Sequence, residues 1–263
     1  MTPPRIITLT TDFGTGSPYV AAMKGVILSL NPAATIVDVT HASPPQDVRA
    51  GALVLAEVTP WFPPGTIHVA VVDPGVGTKR KIVYLRIGEQ HYVAPDNGLL
   101  SRLALAAHPS TIITVAEPEF WLPKVSSTFH GRDVMAPVAA WLSLGLDPAR
   151  LGPAQADIER LDWTEASVAA NRIEGTVQSI DSFGNLITDI GADALVDVPR
   201  GEETTILCDD HETRGIFKAY ADQPPMTLIA LVGSSGKLEL AIVGDNASLM
   251  LGVTVGTPVK ITW

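Results

Sequence analysis

Val69-Ala-Val-Val-Asp-Pro-Gly-Val-Gly-Thr-Lys-Arg80 is the stretch on which the reading of this chain turns. It completes a β-branched apolar run, Ile67 to Val72, with the composition of a strand buried on both faces. The run then delivers one carboxylate, Asp73, into a Pro-Gly-x-Gly turn followed by Thr78, Lys79 and Arg80. Open α/β sheets place ligands outside the carboxyl ends of such strands. Taken singly, Asp73 is more economically read as a turn former, because Asp before Pro-Gly bonds its own backbone.

Upstream, Ile6 to Thr10 reads as a first strand, followed by the loop Thr11-Asp-Phe-Gly-Thr-Gly-Ser-Pro18. Ser17 supplies a hydroxyl cap and Pro18 suits the first helical position, so a helix is predicted over Tyr19 to Leu30. Val20, Met23, Ile27 and Leu30 fall on its apolar face. Thr35 to Val39 is a second strand, and a helix follows to about Val58 with Val48, Ala52 and Leu55 as its buried stripe. Strand alternating with helix up to Val72 specifies βαβ units and a mostly parallel sheet.

Downstream of Arg80, Ile82 to Ile87 and His91 to Val93 flank a hairpin at Gly88-Glu-Gln90. Ala94-Pro-Asp-Asn-Gly98 is a second acid-bearing turn, and Leu99 to Ala106 a short helix. Ser127-Thr-Phe-His-Gly-Arg-Asp133 leads into an apolar helix, Val134 to Leu144, with Asp133 as its expected cap. Past Gly145 the period fades, and residues 151–166 read as a linker between an α/β domain, 1–150, and a second domain, 167–263. There, short β-type runs stand between turns: Arg172 to Ile180, Thr204 to Leu207, Gly215 to Phe217, Thr227 to Val232, Leu238 to Val243 and Val259 to Thr262. That pattern suits a small antiparallel β-barrel or sandwich.

Composition narrows the function. Hydrophobic content of 46% against 17% charged describes a well-cored chain. A net charge of −10 argues against nonspecific binding to nucleic acid or anionic membranes. The single cysteine, Cys208, excludes an intrachain disulfide and fits a reducing compartment. Met1 to Arg5 leads straight into the first strand without a signal-peptide pattern, and no apolar run reaches the length of a membrane span. A cytoplasmic protein is the expectation.

Familiar catalytic signatures are missing. There is no HExxH or CxxC, and the six histidines are scattered, so no metal site is expected. GxGxxG, the Walker loop and the GxSxG elbow are also absent. Asp12 lies in the first βα loop, where an acid can bond ribose hydroxyls or simply form a turn. In Ser179-Ile-Asp-Ser-Phe-Gly-Asn185, Phe183 could stack on a flat ring, Asn185 could read donor and acceptor edges, and Asp181 could take an ammonium. The plain alternative is a hairpin turn.

Six motifs taken in order change the weight of these turns. Thr11-Asp-Phe-Gly14, Val72-Asp-Pro-Gly-Val-Gly77 with Arg80, Pro95-Asp-Asn-Gly98, Thr128-Phe-His-Gly-Arg-Asp133, Asp181-Ser-Phe-Gly-Asn185 and Ser234-Ser-Gly236 run through both domains. In this order they resemble the S-adenosyl-L-methionine (SAM) hydroxide adenosyltransferases, or SAM hydrolases, relatives of fluorinase and chlorinase. The resemblance implies an α/β N-terminal domain, a C-terminal β-barrel, and trimers holding SAM between neighbouring subunits. It implies water activation by Asp73, Arg80 and His130, and ribose binding by Asp12. Phe129 and Phe183 would line the nucleoside pocket, with Asn185, Asn246 and Ala247 meeting adenine. Asp181 and Ser234 would hold the methionine end. SAM would be the substrate, and no cofactor is expected.

The resemblance also separates two branches. Halogenases carry tyrosine at the position of Asp73 and a halide-contacting serine at that of Gly131, and they have arginine where Ser235 stands. A carboxylate repels a halide ion but accepts a hydrogen bond from water. Hydrolysis at C5′ to adenosine and L-methionine is therefore the expected reaction. A SAM or adenosine sensor without turnover and a halide-using adenosyltransferase are the rival readings.

Overall fold

Ile67–Val71 forms β3, the fully buried third strand, and the first sheet is built outward from it. The computed structural model describes residues 6–263, so the reading of Met1 to Arg5 lies outside the described residues. The chain folds as two compact units that meet in sequence at Asp162 and Trp163.

In the first unit the sheet order is β2-β1-β3-β5-β4-β6. The strands are β1 (Ile6–Thr11), β2 (Thr35–Thr40), β3, β4 (Ile82–Ile87), β5 (Gln90–Pro95) and β6 (Thr111–Thr114). Neighbours from β2 to β5 pair in parallel, while β4 pairs antiparallel with β5 and β6. The expected hairpin causes this change of direction, because its two-residue turn reverses β4 into β5.

Ser17 caps helix α1 (Pro18–Leu30), accepting from the Tyr19 N–H, and Val20, Met23 and Ile27 are buried. Asp47 caps α2 (Val48–Val58), which buries Gly51, Ala52 and Leu55. Val48 is only half-buried. Helix α3 (Ser101–Ala106) begins two residues later than expected, because Ser101 closes a turn on the Gly98 carbonyl with both its N–H and its hydroxyl.

The helix expected over Val134 to Leu144 has a different start, and Asp133 is not its cap. A π-helical turn, Gly131–Met135, precedes α4 (Ala136–Ser143). The Ala136 N–H reaches back to the Gly131 carbonyl. Pro137 has no N–H for the Asp133 carbonyl, which takes one from Leu122 instead. The stretch read as a linker is also partly built into this unit. Pro153 and Gln155 bond the backbone of β6, and the Asp96 carboxylate takes the Glu159 N–H.

The second unit is an antiparallel sheet, β11-β10-β14-β8-β9-β13-β12, with β7 (Ser167–Ala169) paired to β8 (Arg172–Ile180). The other strands are β9 (Leu186–Gly191), β10 (Thr205–Cys208), β11 (His211–Arg214), β12 (Leu228–Val232), β13 (Lys237–Ile242) and β14 (Pro258–Thr262). Thr213 Oγ1 donates to the Leu228 carbonyl, linking the two end strands into a nearly closed barrel. Gly215 to Phe217 is not a strand; only Phe217 bridges to Leu231. Helix α5 (Ala247–Leu251) was not expected, and neither were β7, β9 and β11.

Candidate functional site

In the first unit the named side chains gather at the carboxyl ends of β1 and β3. Asp73 leaves β3 into its turn, closed by the Val76 N–H on the Asp73 carbonyl. Its carboxylate receives Arg80 side-on, with Nε at 2.9 Å from Oδ1 and Nη2 at 2.5 Å from Oδ2. Both side chains are largely buried, at 4% exposure for Asp73 and 10% for Arg80. Arg80 Nη2 also donates to His130 Nδ1 at 2.9 Å, so the neutral imidazole carries its proton on Nε2. Burial and then the Arg80 charge lower the His130 pKa, outweighing the opposite pull of Asp73 and Asp133.

Two local devices bring His130, 50 residues distant, to this pair. Gly77 adopts φ +78°, and a Cβ there would stand 2.2 Å from the Ser127 carbonyl oxygen. The turn therefore needs glycine to let the 126–130 loop approach. Asp133, fully buried, takes the Ser126 N–H at 2.7 Å and the Arg132 guanidinium at 2.5 Å, which ties the loop down.

Asp12 lines the same pocket and accepts the Gln46 N–H at 2.8 Å. Gln46 holds a left-handed φ of +65°, an unusual conformation for a residue with a Cβ. Phe129 packs edge-on against Phe13 and Tyr19, with centroids 5.8 and 5.1 Å away, and the Arg132 guanidinium lies over its ring. The pocket has a volume of about 270 Å³ and is lined by Asp12, Phe13, Asp73, Pro74, Phe129 and His130, among others. Sequence reasoning missed Phe13, Tyr19 and Gln46, although Phe13 stood inside a quoted motif.

The second unit carries its own cavity of about 550 Å³, lined by Phe183, Asn185, Tyr220, Ile242, Gly244, Asp245 and Asn246. Phe183 projects into solvent, 77% exposed, from the turn between β8 and β9. Asp181 is the hub of that turn: its carboxylate takes the N–H groups of Phe183 and Asn185 and the Asn185 side-chain amide. Asn246 caps α5 and fills the space where a Cβ on Gly184 would be. Ala247, buried, opens that helix. Ser234 sits exposed in the turn between β12 and β13 and does not line the cavity.

Tyr220 and Glu239 were not anticipated. The Tyr220 hydroxyl donates to the Glu239 carboxylate, and burial followed by the nearby Asp181 charge raises the Glu239 pKa. The available signal was a lone acid inside the apolar run Leu238 to Ile242. Among the described residues no three His, Cys, Asp or Glu side chains converge as metal ligands. Nor is any described helix long and apolar enough to cross a membrane.

Comparison with known proteins bears on the whole length. Residues 7–152 match the SAM hydroxide adenosyltransferase N-terminal domain, and residues 175–260 match the C-terminal domain. The chain is 38% identical over 259 residues to the (R)-S-adenosyl-L-methionine hydrolase of Salinispora arenicola, covering 97% of each. It is 31% identical over 235 residues to the fluorinase of an Actinoplanes species, covering 76% of each. A solved structure from Thermotoga maritima, described as an uncharacterized conserved protein, superposes with a TM-score of 0.93 at 35% identity. That match covers 98% of this chain and 100% of the other. The chain belongs to the SAM hydroxide adenosyltransferase family.

Proposed function

We infer that this chain hydrolyses SAM to adenosine and L-methionine. One observation carries the reading: a buried carboxylate just past the end of β3, gripped by Arg80, lines a pocket that Asp12 also lines. Arg80 occupies one side of each Asp73 oxygen and leaves lone pairs for a water molecule. The water oxygen forms a bond to C5′ as the C5′–S bond breaks, and its electron pair returns to sulfur, leaving methionine as a neutral thioether. The water proton passes to Asp73 or solvent. Methionine departs without needing an acid, so alignment of the water supplies much of the acceleration.

His130 serves in this scheme as a holder of Arg80, since its Nδ1 is occupied by that bond. Asp12 takes the ribose hydroxyls. Phe129 and Phe183 flank the nucleoside, while Asn185, Asn246 and Ala247 meet adenine. Asp181 and Ser234 serve the methionine end, Asp181 mainly by shaping its turn. No cofactor takes part. The cavity in each unit suits sites completed between copies, and the resemblance implies that the copies form a homotrimer. The buried thiol of Cys208 suits the cytoplasm.

Incubation with SAM followed by chromatography tests the reading: adenosine and methionine should appear in equal amounts. Asp73→Asn should still bind SAM while losing turnover by about a hundredfold or more. Wild-type binding of SAM without product would make the protein a sensor. Formation of 5′-chloro-5′-deoxyadenosine in added chloride would make it a halide-using enzyme instead.

A further inference from the structure

The Pro95-Asp-Asn-Gly98 turn has no part in the scheme above, yet it touches the backbone beside both members of the Asp73–Arg80 pair. Asn97 Nδ2 donates to the carbonyl of Val72, the residue before Asp73, at 2.9 Å. The Asp96 N–H donates to the carbonyl of Lys81, the residue after Arg80, also at 2.9 Å. The turn itself is fixed on every side. Asp96 accepts from Gln155 Nε2 and the Glu159 N–H, Asn97 Oδ1 accepts from the Leu99 N–H, and Lys81 Nζ donates to Gln155 Oε1. Gly98, at φ +94°, lies where a Cβ would stand 2.7 Å from the Leu161 side chain.

The geometry points to Asn97 as a positioning residue that sets how the Asp73 carboxylate meets Arg80. Its amide fixes the peptide that joins Val72 to Asp73, just past the end of β3, so Asp73 is the first residue beyond that anchor. The neighbouring Asp96 N–H holds the Lys81 carbonyl, just ahead of β4. Loss of the amide donor leaves the Val72 carbonyl without its side-chain partner and lets the Asp73 turn pivot relative to Arg80. A bidentate contact tolerates little pivoting before one of its bonds is lost.

This inference rests on the hydrolase reading for its kinetic arm only. Asn97→Asp keeps the size and the acceptor for Leu99 but removes the donor, and Asn97→Ala removes both. Each should lower kcat by about tenfold or more with KM for SAM within about twofold of wild type. In an Asp73→Asn background the same substitutions should change the residual single-turnover rate little, because the residue acts through Asp73. Nitrogen NMR of the His130 ring gives a readout independent of turnover: the wild-type Nδ1 acceptor signature should shift in both variants. Folded Asn97 variants with unchanged kcat and an unchanged His130 spectrum would overturn the proposal. So would kinetic losses that multiply independently with that of Asp73→Asn. A wild type inert towards SAM would defeat the hydrolase reading, and the His130 spectrum would still decide the role of Asn97.

Discussion

His130 can accept from Arg80 only while its Nδ1 is unprotonated, which gives the site a pH dependence of definite sign. Arg80, Asp73 and Asp133 act on the ring; burial and Arg80 prevail and hold its pKa below the ordinary 6.5. Turnover should be level around neutrality and should begin to fall below pH 6.5 as the imidazolium gives up the Arg80 bond. A kcat profile from pH 8 to 5 checks this, and an acid limb centred above 6.5 would contradict it. His68 offers a stability counterpart away from the site. It is fully buried, bonded to Thr8 Oγ1 through Nδ1 and stacked on Tyr92, and burial pushes its pKa down to about 4. The unfolded chain therefore binds a proton that the folded chain refuses. The resulting loss is absent above pH 6.5, grows as pH falls, and levels off near 4 at on the order of 3 kcal/mol. His68→Asn should narrow its stability gap to wild type by that order between pH 7 and 4, measured by urea unfolding. The sequence displayed Asp73, Arg80 and His130 because ordered motifs marked them. It hid their contacts, and it hid the Tyr220–Glu239 pair, because nothing in local spacing records which side chains a barrel brings together.

The site depends on two irregular elements packed together, the 73–80 turn and the loop ending in the π-helical turn at Gly131–Met135. At Gly77 the two lie too close for a Cβ. Gly77→Ala would force a side chain into a left-handed conformation and against the Ser127 carbonyl at once. It should cost about 2 kcal/mol or more in urea unfolding. It should also depress kcat, since the loop carrying His130 must move. Unchanged stability would show that the loop is not held there. Strands β1 to β3 were legible as short β-branched runs, and helices α1 and α2 because their apolar residues recur at helical spacing. Strand β11 carries charged and polar residues, and α5 spans five residues, too few to show a period. The π-helical turn escaped because it follows from Pro137 lying four residues after Asp133, a constraint on hydrogen bonding that apolar patterning does not register.

At the scale of the whole molecule, two compact units each carry half of the proposed chemistry, water handling in the first and base recognition in the second. The two fold classes were readable from sequence because the pattern changes from alternating strands and helices to strands alone. No periodicity states how many chains assemble. If the assembly is a trimer with sites shared between neighbours, the first unit of one copy works with the second unit of the next. Two variants disabled in different units should then rescue each other. Asp73→Asn disables the first unit, and Asn185→Ala weakens base recognition in the second. Each homogeneous protein should be nearly inactive. Mixed, denatured and refolded together in equal amounts, they should regain about a quarter of wild-type turnover, the share of sites that join two intact halves. Sites confined to single chains would give no rescue above the separate variants. The sedimentation mass of the mixed species, expected at three times the 27.8 kDa chain mass, would fix the number of copies in the same sample.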